Sequence, residues 1–170
     1  MATVSHLDEI VDYKKKVVNL LGTSQDVVGL ILNNPSIDMN SDVAYSVFDN
    51  NLYDYDYIDE TATQDRCYIM VETEATTTSP AMKDVYLHVQ VVVPKSMMKL
   101  DAKIFKGIKG NRKDNLIRQV DLLLNNRDDF GIGRLQLMRV YIATVPTTFT
   151  STMLTYQVPD FGRNRSVGNR

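Results

Sequence analysis

The sequence predicts one α/β domain of the α+β type, in which a mostly antiparallel sheet packs against one main helix. Residues 84–93 alternate apolar with mostly polar side chains, as in a strand with one buried face. Residues 111–126 place apolar side chains at helical spacing, which predicts an amphipathic helix. Residues 135–144 and 149–158 follow as two further strands. A helix across an antiparallel sheet is the simplest way to bury both apolar faces.

The same periodicities predict which side chains form the core. In the strand of residues 84–93, every second side chain is expected to face the core. In the helix of residues 111–126, the apolar stripe is expected to face the core. The predicted core residues are Val89, Val91, Leu116, Val120, Leu123 and Leu124.

A helical hairpin is predicted at the N-terminus, within residues 5–33. Gly22 favours the turn between its helices, because glycine tolerates a left-handed backbone. Thr23 or Ser24 is expected to cap the second helix, and Pro35 lies just beyond its end.

Residues 36–64 are expected to form a long irregular acidic segment. Tyr53, Tyr55 and Tyr57 alternate with aspartates, but Asp and Asn are poor strand residues. Structureless loops of this length are uncommon inside compact domains. We therefore expect an ordered excursion whose aromatic rings pack against the rest of the protein.

The sheet–helix–sheet core is predicted to span residues 66–161. Residues 66–75 alternate as a strand and precede a polar turn, so this strand and residues 83–93 are expected to form a hairpin. Pro94 ends the hairpin because it lacks a ladder donor. Residues 162–170 contain nothing to bury and are expected to form a flexible tail.

The composition is that of a soluble globular protein of 170 residues, long enough for one domain with a core and short for two. Apolar runs fall far short of the ~20 residues that a membrane span needs, so no membrane association is expected. The N-terminus has no basic start followed by an apolar stretch, which predicts no signal peptide. Cys67 is the only cysteine, which excludes an internal disulfide and fits a reducing compartment.

The near-neutral net charge of −2 hides two oppositely charged blocks. Residues 38–65 hold eight acidic and no basic side chains, a net charge of −8. Residues 95–118 hold eight basic and two acidic side chains, a net charge of +6. Such blocks pair within a chain, pair between copies or remain two solvated loops. As a surface for other subunits we select Asp54, Asp56, Asp59, Glu60, Lys103, Lys106, Lys109, Arg112 and Lys113.

No residue pattern points to catalysis, a metal or a cofactor, so an enzyme is not expected. General acid–base work needs a positioned base, and the histidines are only His6 and His88. A packed His88 and an inert, buried Cys67 are the better interpretations of those residues. The acidic cluster from Asp54 to Glu60 could attract a hard cation, but it lacks the spacing of a calcium-binding loop. Residues 107–113 contain glycines and cations, but they lack the Gly-Lys-Ser/Thr sequence that ends a Walker-type phosphate-binding motif.

An ordered series of short motifs in the C-terminal half points to a family instead. The motifs are Arg112–Arg118 opening a helix, Asp121–Asn125 closing it, Gly131–Leu137 beginning a strand, Pro146 before Phe149, and Met153–Phe161 as the last strand. In this order they resemble small neck proteins of tailed bacteriophages, the tail-terminator (tail-completion) and head–tail joining proteins. With residues 84–93 the resemblance covers about half of the chain.

The resemblance implies a structural subunit of the virion, assembled in the host cytoplasm. It implies a homo-oligomeric ring, commonly six-fold, that caps the tail tube and meets the head connector, with DNA passing through the lumen without tight binding. A head–tail joining or stopper protein is the near alternative. A small nucleic-acid-binding module that uses residues 95–118 is the alternative from another class, although the chain is acidic and Phe105 is the only aromatic residue there.

Overall fold

A computed structural model describes residues 8–57, 65–79, 82–131 and 133–160 of the chain. The predicted flexible tail, residues 162–170, lies outside the described residues. No helix in the described part is both long and apolar enough to cross a membrane. In chain order the elements are α1 Asp8–Gly22, α2 Gln25–Ile31, α3 Asp42–Tyr45, α4 Val47–Asn50, β1 Leu52–Tyr53, β2 Tyr68–Ser79, β3 Met82–Pro94, a 3₁₀ turn Lys95–Met97, α5 Arg112–Leu124, β4 Gln136–Tyr141 and β5 Phe149–Asp160.

The strands form one sheet in the order β1-β2-β3-β5-β4. The β1–β2 pair is parallel, and the other three pairs are antiparallel. The predicted α+β class is therefore confirmed. The predicted β2–β3 hairpin is also present, and β3 ends at Pro94, the residue that the sequence indicated.

Strand β3 lies at the centre of the sheet because it is paired along both sides. Val89 lies opposite Val71 of β2 and Leu154 of β5, and all three side chains are fully buried. Val91 is equally buried on the same face. We call this the helix face of the sheet, and the opposite one the open face.

Helix α5 covers part of the helix face, and its Leu116, Val120 and Leu124 are fully buried. Asn111 caps the helix by accepting a hydrogen bond from the amide of Asp114 at 2.9 Å. Leu123 packs against the core but remains partly exposed, so the apolar stripe is narrower than expected.

The expectation of one main covering helix was incomplete. Helix α1 lies against β1 and β2, where it buries Val17 and Leu21 completely. The predicted N-terminal hairpin therefore completes the layer that α5 begins. Its second helix starts at the predicted cap, where Ser24 Oγ accepts from the Val27 amide.

The acidic segment is less irregular than predicted, because residues 42–53 form α3, α4 and β1. Ser41 caps α3 by accepting from the Ala44 amide. Asn51 then fixes the chain beside β2: its carbonyl accepts from the Ile69 amide at 2.8 Å, and its side-chain amide donates to the Cys67 carbonyl at 2.8 Å. Asparagine is a poor strand residue in general, and here its side chain adds a ladder-like bond that outweighs the propensity.

Truncation of the α5 stripe tests the assignment of the core. Leu116 is fully buried and Leu122 is 69 % exposed on the same helix. We expect Leu116→Ala to lower the free energy of unfolding by about 2–5 kcal/mol, and Leu122→Ala to change it by less than about 0.5 kcal/mol. Urea denaturation of both variants measures the difference. Equal effects of the two changes would contradict this packing of α5.

Candidate interaction surfaces

The basic block forms the connection between β3 and α5, and three of its lysines are exposed. Lys103, Lys106 and Lys109 point away from the core, and Ile104 and Ile108 between them are 44 % and 42 % exposed. Lys113 is partly buried, and its ammonium donates to Thr150 Oγ1 at 3.0 Å. The exposed part of the block is therefore a loop of alternating cationic and apolar side chains.

Arg112 is not part of that exposed surface, which corrects the selection made from sequence. Its side chain is 3 % exposed. The guanidinium donates to the carbonyls of Met97, at 2.8 Å, and Leu30, and to Asn33 Oδ1 at 2.6 Å. Because these acceptors belong to the β3–α5 connection and to the end of α2, Arg112 joins α5 to the N-terminal hairpin.

Only part of the acidic block lies in the described residues. Asp54 is partly buried, and its carbonyl accepts from the Lys14 ammonium at 2.6 Å, whereas Asp56 is exposed. Asp59 and Glu60 lie outside the described residues. In residues 8–57, 65–79, 82–131 and 133–160 no group of three side chains is placed to hold a metal ion.

Tyr53 of the acidic block packs onto the open face of the sheet, whereas Tyr55 and Tyr57 contact its ring and remain about half exposed. The rings of Tyr53 and Tyr57 stack with centroids 4.1 Å apart. Tyr53 also joins a buried cluster with Tyr68 and Phe149. Burial, followed by the neighbouring tyrosines, raises the pKa of Tyr53 to about 12. This cluster covers the end of the open face that lies near β1.

His88 lies on the open face between two polar neighbours. Its Nδ1 is 3.1 Å from Thr155 Oγ1 and its Nε2 is 3.3 Å from a carboxylate oxygen of Glu74. This order of groups resembles a hydrolase triad, but Thr155 lies in the middle of β5, where both neighbouring strands are paired. The backbone amides next to Thr155 are in a strand that is paired on both sides, so they are not available to stabilise an oxyanion. The contacts position polar side chains on the sheet.

Cys67 is fully buried at the start of β2. Burial raises the pKa of its thiol to about 12, an effect that the charge of Arg112 opposes in part. A thiol that stays protonated is a poor nucleophile. Cys67 therefore packs in the core, as its position in a strand suggested.

The two borders of the sheet are surfaces that the sequence analysis did not identify. Strand β4 is one border, and it exposes apolar side chains: Met138, Val140 and Tyr141 are 50 %, 52 % and 41 % exposed, and Ile142, directly after the strand, is 82 % exposed. At the other border β1 covers only the first residues of β2, so within the described residues β2 has no strand beside it beyond Met70. Apolar side chains on both faces, as in residues 135–144, are more typical of a strand inside a sheet, so the sequence carried no signal for this border.

The described residues of the two charged blocks form no ion pair with each other. The ion pairs of the described chain are Lys14–Glu72, Lys16–Asp129, His88–Glu74 and Arg127–Asp129. Strand β1 places the acidic block at the β2 border, and Lys113 places the basic block near the start of β5. Strand β3 lies between β2 and β5, so these parts of the two blocks lie beside different strands of the sheet.

A comparison with protein families matches residues 17–158 to the family described as YomW. The matched region includes α2, α5, strands β1 to β4 and β5 as far as Val158. No curated protein matches the chain.

Replacement of Arg112 tests whether this buried cation stabilises the fold, and replacement of the exposed Lys109 is the matched control. Replacing Arg112 with Gln leaves buried acceptors without their donor, each at a cost of about 1–3 kcal/mol. We expect Arg112→Gln to lower the free energy of unfolding by at least about 2 kcal/mol, since such costs add incompletely. Lys109→Gln is expected to stay within about 0.5 kcal/mol of the parent. Chemical denaturation checks both, and a neutral Arg112→Gln would refute the anchoring role.

Proposed function

The chain belongs to the YomW family, and we propose that it is a structural ring subunit in the neck of a tailed bacteriophage. In this role it acts as a tail terminator, which caps the tail tube and joins it to the head connector. A head-to-tail ring needs two different surfaces of one subunit that fit each other. The observation that supports the proposal is the pair of unlike sheet borders: β4 exposes apolar side chains at one border, and β2 carries Glu72 and Glu74 at the other.

The sequence resemblance supports the same role. Its motifs fall on α5, β4 and β5, which are consecutive elements of one side of the sheet. They therefore describe one packed unit with a covering helix. The neighbouring proteins in this role are the last ring of the tail tube and the connector of the head.

A head–tail joining or stopper protein of the same neck is the alternative within this class. Both roles require ring formation, and they differ in the neighbours that the ring contacts and in the number of subunits. The exposed loop with Lys103, Lys106 and Lys109 favours a second candidate from another class, a nucleic-acid-binding module, because clustered cations attract phosphates.

Ring formation is the first test of the proposal. We expect native mass spectrometry of the concentrated protein to show one closed oligomer, six-fold for a tail terminator and twelve-fold for a connector-side ring.

Deletion of the gene from a phage that encodes it is expected to leave heads and tails that fail to join, visible by electron microscopy. Normal particles without the protein would refute the neck role.

Duplex DNA binding distinguishes the ring subunit from the nucleic-acid module. A neck ring must let the genome pass, so its lumen is expected to bind DNA weakly; tight phosphate contacts would hold the duplex back. We expect no submicromolar binding in a fluorescence titration at physiological salt. Submicromolar binding that is lost in Lys103→Gln/Lys106→Gln/Lys109→Gln would favour the nucleic-acid module, with Arg112 left intact because it is buried.

A further inference from the structure

The two sheet borders match each other in strand direction. Strands β2 and β5 both run opposite to β3, and β4 runs opposite to β5, so β4 is antiparallel to β2. When copies are placed side by side with the same orientation, β4 of one copy meets β2 of the next as an antiparallel pair. Antiparallel strands pair readily without a crossover.

The free border of β2 has backbone groups available for such a pair. The Ile69 amide points outward, since it donates to the Asn51 carbonyl of the adjoining segment. Backbone groups alternate along a strand, so those of Val71, Thr73 and Ala75 point outward as well. Strand β1 ends level with Met70. The Lys14 ammonium lies 3.4 Å from a carboxylate oxygen of Glu72. Beyond Glu72, no strand of the described residues lies beside this border.

Charge and side-chain direction select the register. Arg139 lies on the open face of β4, in the same cross-sheet row as Thr155, His88 and Glu72. If this row continued unshifted into the next copy, Arg139 would lie opposite Glu72 of that copy. Moving β4 by two residues along β2 keeps each side chain on its face and moves the pairing away from β1 and Lys14. This shift places Arg139 opposite Glu74, whose side chain is 64 % exposed.

We propose that residues 136–140 of β4 in one copy pair antiparallel with residues 73–77 of β2 in the next copy, with Arg139 opposite Glu74. This inference rests on the proposed ring and names its subunit interface. The pairing hydrogen-bonds two strand borders and covers the exposed Met138 and Val140. The arginine–glutamate pair sets register more than affinity, because exposed ion pairs contribute little.

A cysteine pair tests the interface. In the full chain carrying both Glu74→Cys and Arg139→Cys, mild oxidation is expected to give a ladder of disulfide-linked oligomers on non-reducing gels. The two single variants serve as controls, and Cys67 does not interfere because it is fully buried. A second pair, Asp56→Cys with Lys106→Cys, tests the alternative contact between the acidic and basic blocks.

Charge reversal gives an independent measurement. Arg139 is exposed and contacts the Tyr141 ring at 5.1 Å, so the fold is expected to tolerate its replacement, which circular dichroism checks. Arg139→Glu faces Glu74 with a like charge, and we expect assembly to need about tenfold more protein. Arg139→Lys, the matched control, is expected to assemble as the parent does.

The outcomes separate this interface from the ring itself. In one outcome, the parent protein forms rings while the Glu74–Arg139 cysteine pair gives no ladder and Arg139→Glu assembles unchanged. That result would overturn the strand pairing and leave the neck role standing. A parent chain that stays monomeric at every concentration would overturn both. A ladder from the Asp56–Lys106 pair alone would assign the interface to the charged blocks.

Discussion

The structure depends on burying the valine-rich face of β3 beneath two helices. Val89 and Val91 are fully buried between neighbouring strands on either side and helices above. Helices α1 and α5 divide this cover, with α1 over β1 and β2 and α5 over β3 and β5. Because the apolar face is too wide for one helix, the N-terminal hairpin is part of the core rather than an appendage.

Arg112 connects the two parts of that helical layer. A buried cation is costly unless its donors are satisfied, and here three acceptors from α2, its following turn and the β3–α5 connection receive them. The basic block therefore divides into a structural arginine and an exposed loop with Lys103, Lys106 and Lys109. The exposed positive charge of the basic block belongs to that loop, whereas Arg112 connects α5 to the N-terminal hairpin.

Border strands of a sheet expose unpaired backbone groups, and proteins commonly protect them. Here β2 is protected at its start by β1 and Lys14, and β4 has an irregular register between Leu137 and Arg139. In the part of the chain that the structure describes, the remaining length of both borders has no strand beside it. Unpaired borders risk aggregation in a monomer, and the strand pairing that we propose between neighbouring copies would remove this risk.

Sequence periodicity determined β3, α5, the N-terminal hairpin and the core positions, because alternation, helical spacing and capping residues are local signals. It also placed exposed lysines in the β3–α5 connection. Only the tertiary structure decided that Arg112 is buried and that β1 forms within the acidic segment. Both outcomes depend on partners far along the chain: Leu30 and Asn33 for Arg112, and Cys67 and Ile69 for Asn51. The order of the strands, and hence which borders stay open, follows from long-range pairing that no local pattern encodes.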